Sequence, residues 1–134
     1  MESLFSFLAR EHAFFAHFPI ALITTGAIVR LFWALRPGNA AWLGSQVMLG
    51  IGAASVFLSV LSGLILTNFQ LALPEPVMVH RTLALLLGGW SVAHLILILR
   101  PPAWIQTRLP SAAWALLGAA LALATGYYGS QLAG

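Results

Sequence analysis

The sequence predicts an all-α integral membrane protein, a four-helix bundle in up-down-up-down order. Three observations predict it. Hydrophobic residues make up 60% of the chain against 7% charged, with a mean hydropathy of +0.94, a composition that no water-soluble domain of this size shows. The stretches 37–74 and 109–134 carry no charge, and each is longer than the roughly 20 apolar residues that cross a bilayer. Six of the seven prolines lie in short stretches between the apolar runs, where they stop helices.

The elements follow in order along a single transmembrane domain, residues 1–134. Residues 3–12 mix Leu4, Phe5, Phe7 and Leu8 with Arg10, Glu11 and His12, which suits a short lead-in lying in the membrane interface. Spans are then expected at about 13–35, 44–67, 77–99 and 111–132. Runs so long and uniformly apolar are helices, because barrel strands alternate over about ten residues and backbone amides in hydrocarbon must be satisfied internally. The connections at 36–43, 68–76 and 100–110 are short, so neighbouring helices run antiparallel. The opening Met-Glu-Ser-Leu has no basic region or small-residue cleavage site, and the first span is therefore expected to stay in the mature protein.

Orientation rests on arginine alone, since lysine is absent. Arg36, Arg100 and Arg108 lie in the first and third connections, with Arg30 expected to snorkel to that side. Arg10, Arg81 and the three acids lie on the other. In a bacterial inner membrane the positive-inside rule then puts both termini outside, and Trp33, Trp42, Trp104 and Trp114 form an aromatic belt at the inner boundary. A pI near 10.7 reflects these few arginines and not a surface able to neutralise many phosphates, so nucleic acid is not an expected partner. The absence of cysteine excludes disulfides, thiolate metal sites and iron–sulfur ligation.

Two histidines open apolar spans: His17 begins HFPIAL at 17–22, and His80 begins HRTLAL at 80–85. An ionisable ring at the edge of a span is costly and marks a function or a partner. His17 and His80 fall at similar depth on the first and third spans, which sit diagonally in a simple bundle. The stripe from His17 through Ala21, Thr24 and Ile28, and the stripe from His80 through Ala84, Leu87, Ser91 and His94, are both expected to face inward. Between them lie small residues, Ser55, Ser59 and Gly63 on the second span and Ala115, Ala119, Ala122, Gly126 and Gly129 on the fourth. Such residues let helices approach or leave room for a flat cofactor. A diagonal histidine pair is what one b-type haem requires, with both axial positions filled and electron transfer as the only chemistry. Arg10 and Arg81 are placed to meet propionates, with Tyr127 and Tyr128 as further donors. The competing reading makes the histidines interfacial anchors and the arginines partners of lipid head groups.

The remaining candidates are subordinate. His94 lies fourteen residues beyond His80, rotated by about 40° and about 21 Å further along the axis. It would serve a second haem only with a partner such as Met48, and a histidine hydrogen-bonded to a neighbouring serine or carbonyl is the alternative. His12 is turned roughly 140° from His17, so the two are poor joint ligands unless Pro19 reshapes the turn, and His12 could replace His17 if the lead-in folds back. A zinc or copper site from His12, His17, His80 and Glu11 or Glu75 ranks below haem. No arrangement of nucleophile and base, phosphate loop or carboxylate pair supports hydrolysis or phosphoryl transfer.

HFPIAL, the Ser62-Gly63-Leu64 near the end of the second span, the His80-Arg81 pair and the Gly126 to Gly129 end of the fourth together resemble a widespread bacterial family of four-helix membrane proteins known only as a domain of unknown function. The resemblance covers nearly the whole chain. It implies an architecture similar to b-type cytochrome modules and a role in respiratory or photosynthetic electron transfer, and it points to His17 and His80. The chain departs from the family in having His12-Ala13 where a His-Pro is usual, and Thr125-Gly126-Tyr127-Tyr128-Gly129 where a double glycine and an acid are common. The resulting expectation is a small membrane cytochrome that works within a larger redox complex or with an external cytochrome, with lipid around it and quinone as a candidate partner. It is an electron-transfer subunit more than a self-sufficient enzyme. The contrasting expectation is a cofactor-free accessory subunit that stabilises a larger membrane complex.

Overall fold

A computed structural model describes residues 3–132. It contains a short helix α1 (Leu4–Arg10) and four long ones, α2 (His12–Leu35), α3 (Asn39–Leu66), α4 (Glu75–Leu99) and α5 (Arg108–Leu132), with one 3-10 turn at Ala103–Gln106 before α5. All four long helices are long and apolar enough to cross a membrane, as expected for a multi-pass bundle. α2 packs on α3 and α5, and α4 packs on the same two helices. α2 and α4 therefore face each other diagonally across the centre, with consecutive helices antiparallel.

The bundle is turned inside out relative to a soluble one. Its centre is made of Ile23, Ala27, Leu49, Ala53, Val56, Leu87, Trp90, Ala115, Ala119 and Ala122, most of them small or branched. Large residues such as Ile28, Phe32, Leu43, Ile51, Leu85, Ile96 and Leu123 face outward and are at least half exposed. An apolar outer surface of that extent belongs against lipid.

Close approach is bought by glycine at three crossings. A Cβ on Gly52 would come within 2.7 Å of Ile23 and one on Gly26 within 2.9 Å of Leu49, which locks α2 to α3. On the other side of the bundle, Gly118 lies under the Trp90 ring and joins α5 to α4.

The helices start earlier than hydropathy indicates, at Asn39 where 44 was expected and at Arg108 where 111 was expected. The apolar run measures what lies in hydrocarbon, whereas the hydrogen-bonded helix continues into the interface. The lead-in is helical too, with Ser3 Oγ accepting from the Ser6 N–H at 3.2 Å, and Leu8 is its buried contact. Pro19 does not break α2. Proline cannot bond the carbonyl four residues back, and here the Ser59 hydroxyl of α3 donates to that carbonyl, Phe15 O, at 2.6 Å. A neighbouring helix thus satisfies the freed group, as hydrocarbon requires.

Candidate functional site

At the end of the bundle where α2 and α4 begin, a cavity of about 530 Å³ opens between the helices. Small residues on α3 and α5 create it: Ser59, Gly63, Gly126 and Gly129 line it, as the small-residue pattern predicts. His12, His17 and His80 line it too, with Arg10 and Arg81 at its rim. The ring facing His80 is that of His12. Their centroids are 6.3 Å apart and their planes meet at 77°.

This corrects the expected facing of α2. Its inward stripe runs through Pro19, Ile23, Ala27, Arg30 and Ala34, all buried, and His12 continues that stripe about two turns before Pro19. His17 is exposed, and its predicted stripe through Ala21 and Ile28 faces outward, with Ile28 62% exposed. The stripe from His80 does run inward, through buried Leu87, Ser91 and His94.

The hydrogen bonds fix the tautomers of the three rings. His80 Nδ1 lies 3.0 Å from Thr125 O and His17 Nδ1 lies 2.5 Å from Ala13 O. A carbonyl only accepts, so each Nδ1 carries the proton. His12 Nδ1 lies 2.7 Å from Ser62 Oγ, whose own hydroxyl donates to Ser59 O at 2.9 Å. Ser62 must therefore accept, and His12 is protonated at Nδ1 as well. In the neutral form of each ring the lone pair is then on Nε2, which makes no hydrogen bond among the described residues. Tying back Nδ1–H while Nε2 stays available is the arrangement that orients histidine as a metal ligand. Two glycines seat the rings: a Cβ on Gly63 would lie 3.0 Å from His12 Cε1, and one on Gly129 would lie 2.9 Å from His80 Cε1.

The rim is anchored by backbone and ion-pair contacts. Arg10 Nε donates to Glu11 Oε1 at 2.8 Å, and Arg81 donates to the Gln70 carbonyl. Tyr127 and Tyr128, expected as donors here, are exposed and pack edge to face on one another away from the cavity lining. No group of three His, Asp or Glu side chains able to hold a metal ion occurs among the described residues, so the zinc or copper arrangement has no converging ligand set. Glu2 lies outside the described residues.

His94 occupies a different environment, nearer the opposite end. It is 1% exposed and stacks on Trp90 with centroids 4.9 Å apart and planes at 4°. Trp114 Nε1–H donates to His94 Nδ1 at 3.0 Å, so the proton sits on Nε2, a buried atom with no partner. A neutral imidazole has one lone pair, and here it is committed to Trp114. A ligand role for His94 would require that bond to be given up. Trp114→Phe deprives the ring of that bond and leaves both nitrogens unpartnered. The expected cost is about 1–3 kcal/mol, read as a lower unfolding midpoint in detergent.

Arg30 is the second correction. It does not snorkel to the surface but is fully buried. Its Nε donates to Ser45 Oγ at 2.7 Å, Nη1 to Ser111 Oγ at 2.5 Å and Nη2 to Gln46 Oε1 at 2.5 Å, with the guanidinium over the Trp42 ring at 4.1 Å. Depth symmetry about the α2–α3 connection was the available signal, because Arg30 and Ser45 lie five and six residues from the helix ends that flank it.

The fold and this site define a multi-pass four-helix membrane protein with a histidine-lined cavity at one end. No protein-family model, curated protein or solved structure matches the chain.

Proposed function

We propose that the protein is a small membrane cytochrome that holds one b-type haem between His12 and His80 and passes electrons to or from a quinone or a neighbouring redox protein within a larger complex. One observation carries the reading. Two imidazoles on diagonally opposed helices face each other across an apolar cavity, each with Nδ1–H tied back and Nε2 free. His12 and His80, whose ring centroids are 6.3 Å apart, would be the pair that holds the iron.

Haem bound through two histidines supplies a one-electron iron couple with no open coordination position. The chain's own residues do the rest. Ser62 and the Thr125 carbonyl orient the rings, Gly63 and Gly129 let them sit close to α3 and α5, and Arg10 and Arg81 stand where anionic groups would leave the cavity. His17 belongs to the mouth of the cavity in this reading. The resemblance carried by HFPIAL points to the same class of protein, and in a bacterial inner membrane the arginine distribution favours the histidine end outside.

The test is an oxidised-minus-reduced visible spectrum of detergent-purified protein with a pyridine haemochrome assay. The expected result is one b-type haem per chain. A well-folded protein that stays colourless when made with added haem overturns the reading and leaves the cofactor-free accessory subunit in its place.

A further inference from the structure

The end of the bundle opposite the histidines holds a buried positive charge that electron transfer does not use. Arg30 has only neutral acceptors, Ser45, Ser111 and Gln46. The acids among the described residues, Glu11 and Glu75, lie at the starts of α2 and α4, and Glu11 is about 28 Å from Arg30 along the helix at 1.5 Å per residue. A buried cation without a counter-charge is costly even when its N–H groups are satisfied, and only three of its five donors are spoken for.

Beside it lies a cavity of about 410 Å³ whose wall includes Trp33, Trp42 and Gln46, three of the five side chains that contact the guanidinium. An arginine N–H can be met only by the oxygen of Gln46, so the Gln46 NH₂ is the half left for the cavity. The indole N–H groups of Trp33 and Trp42 have no acceptor among the described residues, and Asn39 and Gln106 add side-chain amides to the lining. Asn39 is also the first residue of α3, and Gly38 before it offers no side-chain cap. The positive dipole end of this 28-residue helix therefore lies at one edge of the lining. Exposed Arg36, Arg100 and Arg108 add to the positive potential at this end. Donors line the cavity, a buried cation lies behind the wall that Trp42 and Gln46 form, and no acid among the described residues lies at this end.

We propose that this cavity binds a phosphate group, from a lipid head group or from free phosphate, as the counter-charge to Arg30. Phosphate is the oxyanion found at the depth where a bundle's tryptophan belt and helix ends lie, and the cavity is larger than a halide needs.

The experiment follows thermal unfolding of delipidated protein in a neutral detergent during titration with sodium phosphate, with sodium chloride at equal ionic strength, and with short-chain phosphatidylglycerol. A ligand that binds only the folded state raises the midpoint saturably. The expected result is such a rise with a phosphate-bearing probe and none with chloride. A response to the lipid alone assigns the site to a head group, and a response to inorganic phosphate assigns it to the free ion. Gln46→Glu puts a carboxylate on Arg30 from within the chain, so it should weaken the apparent affinity at least 10-fold. Asn39→Asp, at an exposed position on the rim, should do the same and serves as the second test if Gln46→Glu does not fold. No saturable response to either probe, an equal response to chloride, or an undiminished response in the variant that folds would overturn the proposal.

Discussion

Purified His12→Ala and His80→Ala should each lose the b-type absorbance, whereas His17→Ala should keep it. The expectation follows from where the lone pairs lie. His12 and His80 approach across the cavity from diagonal helices, while His17 sits on an exposed face of α2. In the proposed reading, losing either member of the pair would leave the iron with one protein ligand, so haem per chain should fall from one to near zero. Ser62→Ala is the graded version: it removes the acceptor that orients His12 and should weaken haem retention by about 10–100-fold, as loss of an outer-sphere partner does. A bleached His17→Ala beside a coloured His12→Ala would return the ligand role to the residue that HFPIAL singles out.

Gly118→Ala should be the most damaging small substitution in the bundle. A Cβ there would lie 2.3 Å from Trp90 Cζ2 and 2.5 Å from Cε2. Trp90 cannot swing aside, because it is buried, stacks on His94 and donates its N–H to Trp114 O at 3.1 Å. Separating α4 from α5 to admit the methyl group should cost about 1–3 kcal/mol, the usual range for overpacking a close-packed core. Gly89→Ala is the control. Nothing lies within 4 Å of its added Cβ, so it should be neutral or stabilising by up to ~1 kcal/mol through helix propensity. Unfolding midpoints in mild detergent measure both, and equal effects at the two positions would refute this account of the α4–α5 contact.

Much of the molecule is legible in the residues before any coordinates. The spans, their antiparallel order, the small-residue faces of α3 and α5 and the inward stripe from His80 to His94 all follow from apolar length, proline position and spacing. Three features do not. The choice of His12 over His17 escapes detection because α2 is apolar nearly all round, so hydropathy cannot say which face turns inward. The burial of Arg30 depends on acceptors from two other helices, Ser45 and Gln46 on α3 and Ser111 on α5, and arginine near a span end otherwise snorkels. Gly118 looks like any small residue in α5 until Trp90 is seen resting on it.

Composition and spacing by themselves determined that this chain is a four-helix membrane bundle with three of its four histidines toward one end and four of its six arginines toward the other. The reason is that length in hydrocarbon and charge at the interface act on each helix separately. Tertiary structure alone decided which imidazoles meet and which cation is buried, because those depend on the rotation of each helix about its own axis. That rotation is set by glycine seats, a serine answering Pro19 and an indole answering His94, contacts between residues far apart in the chain.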